Sequence, residues 1–366
     1  MSESDTRKRT IRSVEEIDTV VDCDFHVRES MEDIKRYIQD PYGKLIKNPS
    51  RGVYPWPGFV MPSTVGNIDR EDMPITNSSE GVRDAMDLLS VDHPILTPSL
   101  NLYLSCVQHD DLAAAMANAY NSWLLDEILD DVEGAKGAIL VGPRKPAKAA
   151  EEIDDRANES DMKAVMVPNG GTPLLLGNEK YWPIYEAAED NGLPIVMHAA
   201  SGNAMFSLSH AFQSFNRFLS THVVAHSEMH MNNMADMITR GVPVEFPDLN
   251  FIFQEAGLGY IPYFMRRFDH EYYSKKYDAP MLDKKPSEYI NDQFYFTSQP
   301  IEGTDEPGYV NDIARLFNAD QNLLFSSDYP HFDYDESDEL LTSLYDFSDE
   351  EVNNIYGQTA MELYNL

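Results

Sequence analysis

Short runs of apolar and β-branched residues alternate along this chain with longer stretches of amphipathic, helix-like sequence. The short runs are 19 to 25, HPILTP (93 to 98), GAILVGP (137 to 143), KAVMVPN (163 to 169), LPIVMHA (193 to 199), LNFIFQEAG (249 to 257), QFYFTSQ (293 to 299) and NLLFSSD (322 to 328). The clearest helical stretches are 110 to 130, 180 to 192 and 349 to 366. The second of these closes on Asn191-Gly192 just before Pro194, a left-handed cap followed by a residue that cannot continue a helix. Strand and helix taken in turn, about eight times over, predict an α/β chain folded as a (β/α)8 TIM barrel.

Two segments break the rhythm. Residues 41 to 80 are crowded with Pro, Gly and polar residues and read as an irregular insertion after the first strand. On a barrel it would lie near the active-site mouth, where Trp56, Tyr54 and Phe59 would either line a substrate pocket or pin the segment down. Residues 1 to 18 are polar and lack the apolar stretch of a signal peptide, which predicts a flexible tail before one barrel domain over 19 to 366.

Charge changes the picture of the surface. The 366 residues carry 28 Lys and Arg against 62 Asp and Glu, a formal net charge of -34, while 42% of residues are hydrophobic. Such a surface repels nucleic acid and anionic lipid, so neither is expected as a partner. The acidic excess is dispersed over a chain able to fold, as in proteins that work in concentrated salt, where screening relieves self-repulsion. With two cysteines and no run of about 18 apolar residues, the expectation is a soluble protein of a halophilic cytoplasm. The aromatic pairs Tyr272-Tyr273 and Tyr260/Tyr263 fit either a homodimer interface or packing among the outer helices.

Candidate chemistry sits where the apolar runs end. Asp24 and His26 alternate on the first strand and so share a face; His198 ends the fifth run and Asp328 the eighth. Carboxyl ends of barrel strands converge on one mouth, where two imidazoles and two carboxylates would suit one divalent metal ion, Zn first, with Mn, Fe or Mg as alternatives. Asp328 could also accept a proton, with His331 beside it as an acid/base or supporting group. Arg28 could clamp a substrate carboxylate or pair with surface acids such as Glu29. His222, His226 and His230 recur at four-residue spacing on one helix face, as a surface stripe or with His226 as a substrate contact.

Asp-x-His after the first strand, His198 in PIVMHA, the string Ser327-Asp328-Tyr329-Pro330-His331 and the segment 241 to 269 together resemble the second amidohydrolase family, which includes the aminocarboxymuconate-semialdehyde decarboxylase group. The resemblance implies a distorted barrel with a single divalent metal held by Asp24, His26, His198 and Asp328. It also implies decarboxylation of an aromatic or unsaturated acid, or hydrolysis, acting on a small carboxylated substrate. Two positions depart from the family's pattern. Asp24 stands where the family often has His or Glu, which makes the site richer in oxygen and favours Mn or Mg. Glu255 stands where the decarboxylases carry His, and could serve as catalytic acid/base, as a further metal ligand or as a carboxylate that orients His198. A catalytically silent barrel that binds a ligand or partner is the alternative reading. The dispersed charge predicts that the melting temperature rises between low and molar KCl; a temperature that stays flat in a thermal-melt salt titration would refute the halophilic reading.

Overall fold

The computed structural model describes residues 9–46, 73–200, 214–306 and 308–366. Eight strands run in sequence order around one sheet, each parallel to the next: β1 Val21–Val27, β2 His93–Pro98, β3 Lys136–Leu140, β4 Met162–Pro168, β5 Ile195–His198, β6 Phe251–Gln254, β7 Phe294–Thr297 and β8 Leu323–Leu324. Every expected strand is present, and the (β/α)8 barrel is the fold. Parallel strands wrapped by helices are covered on both faces, which is why the runs are almost uninterrupted in apolar residues. All seven residues of β1 are buried, its polar ones included.

The circle closes beyond β8, which is only two residues long. Cys23 N donates to Phe325 O at 2.9 Å, Asp328 N to Asp24 O at 2.9 Å and His26 N to Tyr329 O at 2.8 Å. The chain leaving β8 therefore zips onto β1 along the segments that carry Asp24, His26 and Asp328. Register along β1 shifts between Asp22 and Phe25, a bulge of the kind that re-aims side chains at barrel rims.

Helices cover the outside. Asp110–Leu124 continues into one wide turn over Leu125–Leu129, and Trp123, Tyr120 and Leu124 fill the layer between it and the strands. Trp182–Asp190 and the run from Asp349 to Leu363 lie where the helical pattern places them. Of the aromatic pairs, Tyr260 and Tyr272 pack against the core while Tyr263 and Tyr273 are exposed. No helix among the described residues is long and apolar enough to cross a membrane.

The two irregular segments differ from expectation where they are described. The described part of the tail is docked: Arg9 Nη1 donates to Leu341 O and Leu344 O at 2.9 and 2.8 Å, Thr10 N donates to Asp349 Oδ1 at 2.7 Å, and Ile11, Val14 and Ile17 are buried. Three apolar residues at three-residue spacing in an otherwise polar stretch are enough to dock it. The insertion ends earlier than 80, because Ser78 caps a helix over Ser79–Leu89 by accepting from Gly81 N at 3.2 Å. Trp56, Tyr54 and Phe59 lie outside the described residues.

One glycine shows how tightly the ends pack. Gly357, in the wide helical turn Asn354–Gln358, faces the Thr19 carbonyl so closely that a Cβ would overlap it. Gly357→Ala is expected to lower stability by about 1–3 kcal/mol, since neither backbone can retreat; urea unfolding of the two proteins measures it.

Candidate metal centre

Alternation along β1 points Asp22, Asp24 and His26 into the barrel, and each is fully buried. His198 ends β5 and Asp328 follows β8, both also without exposure. One ligand atom from each of Asp24, His26, His198 and Asp328 falls within 4.8 Å of the others. His26 Nε2 lies 3.2 Å from Asp24 Oδ1 and 3.0 Å from Asp328 Oδ1; His198 Nε2 lies 3.5 Å from Asp24 Oδ2.

The hydrogen bonds behind these atoms decide what the cluster can hold. His26 Nδ1 lies 2.8 Å from Pro98 O and His198 Nδ1 lies 2.7 Å from Ala199 O. A carbonyl can only accept, so both Nδ1 atoms carry protons, and the two Nε2 atoms, 3.2 Å apart, are left to present lone pairs to the cluster whenever the rings are neutral. Asp24 Oδ2 and Asp328 Oδ2 are buried with no hydrogen-bond partner. Lone pairs and anionic oxygens aimed at one buried point are costly unless a cation lies among them. This donor set, two nitrogens and two carboxylates with their outer atoms tied back, fits a divalent metal ion.

The electrostatics agree. Burial penalises the His26 imidazolium, but the Asp24 and Asp328 carboxylates outweigh it and push the pKa up to about 10. Burial carries His198 the other way, down to about 4, with His26 adding to the effect against Asp24. Burial would raise Asp328, yet His331 and His26 hold it well below the usual carboxylate range. Adjacent imidazoles pushed apart in this way cannot both be charged, although the two carboxylates demand positive charge.

Glu255 follows β6 and faces the same point. Its Oε2 lies 3.4 Å from His198 Nε2, its Oε1 lies 3.6 Å from His226 Nδ1, and its backbone N donates to Thr297 Oγ1 at 3.1 Å. Burial above all, then Asp328, Asp333 and Asp24, pushes its pKa well above the usual carboxylate range. Glu255 and Asp328 both adopt left-handed backbone, with φ of 55° and 61°. Non-glycine residues held there cost about 1–3 kcal/mol each and cluster at functional sites.

Helix Phe218–Thr239 overrules the surface-stripe reading of its histidines, because it lies across the barrel mouth with that face turned inward. His230 is fully buried, with Nε2 donating to Gln254 O at 2.6 Å and Nδ1 accepting from Asn169 Nδ2 at 2.9 Å. His226 is buried against Glu255, and burial drives its pKa well below the ordinary value. Partly exposed His222 pairs with Asp333 at 3.0 Å and stacks on Phe218, ring centroids 5.1 Å apart. His331 binds Asp328 Oδ1 through Nδ1 at 2.7 Å and lies over the His26 ring with centroids 4.2 Å apart.

Arg28 leaves β1 half-buried, its backbone N donating to Thr76 O at 3.0 Å. Glu29 is no surface acid: it is buried and accepts from Ser99 N, Asn101 N and Asn101 Nδ2 at 3.1, 2.7 and 2.9 Å. Sequence pattern assigns no role to Asp22, Asp333 or Thr97, whose Oγ1 lies 3.4 Å from Asp24 Oδ1, and uses Ser327 only as part of a motif string. The first was in view, since Asp22-x-Asp24-x-His26 places three polar residues on one face of an apolar strand.

An amidohydrolase family model matches residues 103–366. The chain belongs to the amidohydrolase family. It is the second family of that name, whose members include metal-dependent decarboxylases and hydrolases. No curated protein matches the chain. Among solved structures it is similar to an amidohydrolase of Mycobacterium avium subsp. paratuberculosis K-10, with 20% identity, a TM-score of 0.75 and coverage of 94% of this chain and 99% of that one. It is also similar to 5-carboxyvanillate decarboxylase from Sphingomonas paucimobilis, at 18% identity, TM-score 0.69, covering 95% and 99%. A third is a dihydroxybenzoic acid decarboxylase from Polaromonas sp. JS666 with bound manganese and 2-nitroresorcinol, at 19% identity, TM-score 0.68, covering 95% and 97%. At these identities the likeness establishes the barrel fold. For this amidohydrolase, elemental analysis is expected to find about one divalent transition metal ion per chain, and His198→Ala and Asp328→Ala each to lose most of it.

Proposed function

We propose that this amidohydrolase is a metal-dependent, non-oxidative decarboxylase of a small carboxylated aromatic or unsaturated compound. The observation that carries the reading is the buried Glu255, held in left-handed backbone against His198 and His226 and directed at the Asp24, His26, His198, Asp328 cluster. Loss of carbon dioxide leaves an electron pair on carbon, which must be met by a proton. A buried carboxylic acid whose pKa is pushed well above the usual range, as burial does here, can deliver it. Glu255 thus takes the place of the family's histidine as acid, and His226 orients its carboxyl group. Bound at the four ligands, a divalent ion would supply Lewis-acid attraction for the substrate's carboxylate or hydroxyl oxygen and offset charge in the transition state.

Asp328 and His331 form the second proton-handling pair. His331 Nδ1 on Asp328 Oδ1 fixes the carboxylate's orientation, and its imidazole, over the His26 ring, would be available to a substrate hydroxyl. Arg28, at the exit of β1, is the cation suited to a substrate carboxylate, and Trp56 is a candidate for the pocket wall. Manganese is the favoured ion: Asp24 enriches the site in oxygen donors, and the Polaromonas decarboxylase is a manganese structure. Hydrolysis through the same ligands is the second reading, favoured by the carboxylate character of Glu255, which as a base could deprotonate water. The test is carbon dioxide release from hydroxylated benzoates and unsaturated acids, against ester and lactone hydrolysis, by manganese-loaded protein. Decarboxylation that falls about 100- to 10,000-fold in Glu255→Gln with metal content unchanged supports the assignment; hydrolysis alone overturns it.

A further inference from the structure

Asp22 is as deeply buried as the four ligands but is bonded to backbone and to Ser327 and not to their ligating atoms. Its Oδ1 accepts from Asp24 N at 3.0 Å and from Ser327 N at 3.1 Å, and its Oδ2 accepts from Ser327 Oγ at 2.5 Å. Ser327 Oγ in turn accepts from Tyr329 N at 3.1 Å. One carboxylate therefore bonds to the segment carrying Asp24 and to the segment carrying Asp328, on opposite sides of the seam where the barrel closes.

The geometry explains why a carboxylate stands there. The register of β1 slips between Asp22 and Phe25, which takes the Asp24 amide out of the regular ladder. Buried N–H groups need a partner, and Asp22 supplies it from its own strand two residues away. Across the seam, Ser327 and Tyr329 flank Asp328, whose left-handed backbone leaves their amides pointing inward. Asp22 binds the first directly and the second through the Ser327 hydroxyl. His26 also reaches both segments, but through the ligand carboxylates; among the described hydrogen bonds of the site, Asp22 is the side chain that holds a backbone amide of each.

We infer that Asp22, with Ser327, is the positioning pair of the metal centre: it sets the bulge that presents Asp24 and the turn that presents Asp328, and so fixes the separation of the two carboxylate ligands. The role is one of geometry, since Asp22 lies behind the ligands and has no free oxygen to offer an ion. The inference rests on the four residues holding a metal and not on which reaction they support. Outer partners of metal ligands typically govern affinity by about 10- to 100-fold.

The test is Mn2+ titration followed by the electron paramagnetic resonance signal of the free ion, with wild type, Asp22→Ala, Asp22→Asn and Ser327→Ala as full-length proteins. Asp22→Ala is expected to weaken Mn2+ binding by about 10- to 100-fold and to broaden the bound-ion spectrum. Asp22→Asn, which keeps an acceptor for both amides, is expected to restore most of the affinity; a merely structural role would show no such graded change in the ion's spectrum. Ser327→Ala, which leaves the Asp22 carboxylate in place, should fall between them and covers the case in which Asp22→Ala does not fold. Wild-type affinity and spectrum in folded Asp22→Ala, or in Ser327→Ala if the former is unfolded, overturn the inference. Failure of wild type to bind Mn2+, Zn2+ or Fe2+ would instead overturn the metal centre itself, and a hydrolase with intact metal binding would overturn only the decarboxylase reading.

Discussion

Everything at the centre of this molecule follows from burying carboxylates and imidazoles together without exposure. Asp24, His26, His198 and Asp328 are sealed from water, and two carboxylate oxygens among them have no hydrogen-bond partner. A buried carboxylate left uncompensated costs several kcal/mol, more than most single interactions return. The backbone carbonyls of Pro98 and Ala199 hold the Nδ1 protons, so a neutral ring has only a lone pair at Nε2 to turn toward the carboxylates, and the compensating charge must come from a second proton or from a cation. What remains is a preference for a cation. The barrel then has to hold the ligands rigidly enough that the cost is met by the ion and not by rearrangement.

That requirement falls on the seam between β1 and β8, the weakest line of the sheet. β8 contributes two residues to the ladder, and past it the closing bonds run from single amides to single carbonyls. A barrel can tolerate irregular backbone at its carboxyl-terminal face because the strands below carry the packing. The left-handed residues at Asp328 and Glu255 lie at that face, and the bulge in β1 lies within the strand that leads up to it. Local conformations that would be penalties elsewhere are there the means of turning three carboxylates toward one point.

Much of this was legible in the chain. Eight apolar runs became eight strands because parallel strands need apolar residues on both faces, a pattern that survives translation into sequence. Polar residues interrupting such runs at their ends, Asp24, His26, His198 and Asp328, stood out for the same reason. Legibility failed where the signal was a relationship and not a residue. His226 and His230 have the spacing of any helix face, and only the placement of Phe218–Thr239 over the mouth decides that the face is inward. Ser327 and Asp22 gain meaning from a contact across 305 residues of sequence separation. The N-terminal stretch reads as polar by composition, yet Ile11, Val14 and Ile17 suffice to dock it, since anchoring depends on a few placed side chains more than on mean polarity.

On the proposed reading, a carboxyl group at Glu255 serves as the acid in place of an imidazole, which changes the demands on its neighbours. A histidine acid is cationic before transfer and neutral after; a glutamic acid is neutral before and anionic after. In a site already holding Asp24, Asp328 and the nearby Asp333, the anion left by Glu255 is the harder state to stabilise, and these same carboxylates push its pKa up. His226 Nδ1 lies 3.6 Å from its Oε1, close enough to turn a proton toward it as charge develops, whereas His198, its Nδ1 proton held by Ala199 O, meets Oε2 through Nε2 at 3.4 Å and has no proton to offer there when neutral. In the proposed decarboxylation the state after proton transfer would therefore lean on His226, and the surrounding carboxylates would favour return of the proton to Glu255. An acid that gives up its proton only when a carbanion draws it would suit that proposed reaction, whose demand on the protein's own groups is a proton delivered in the absence of bulk water.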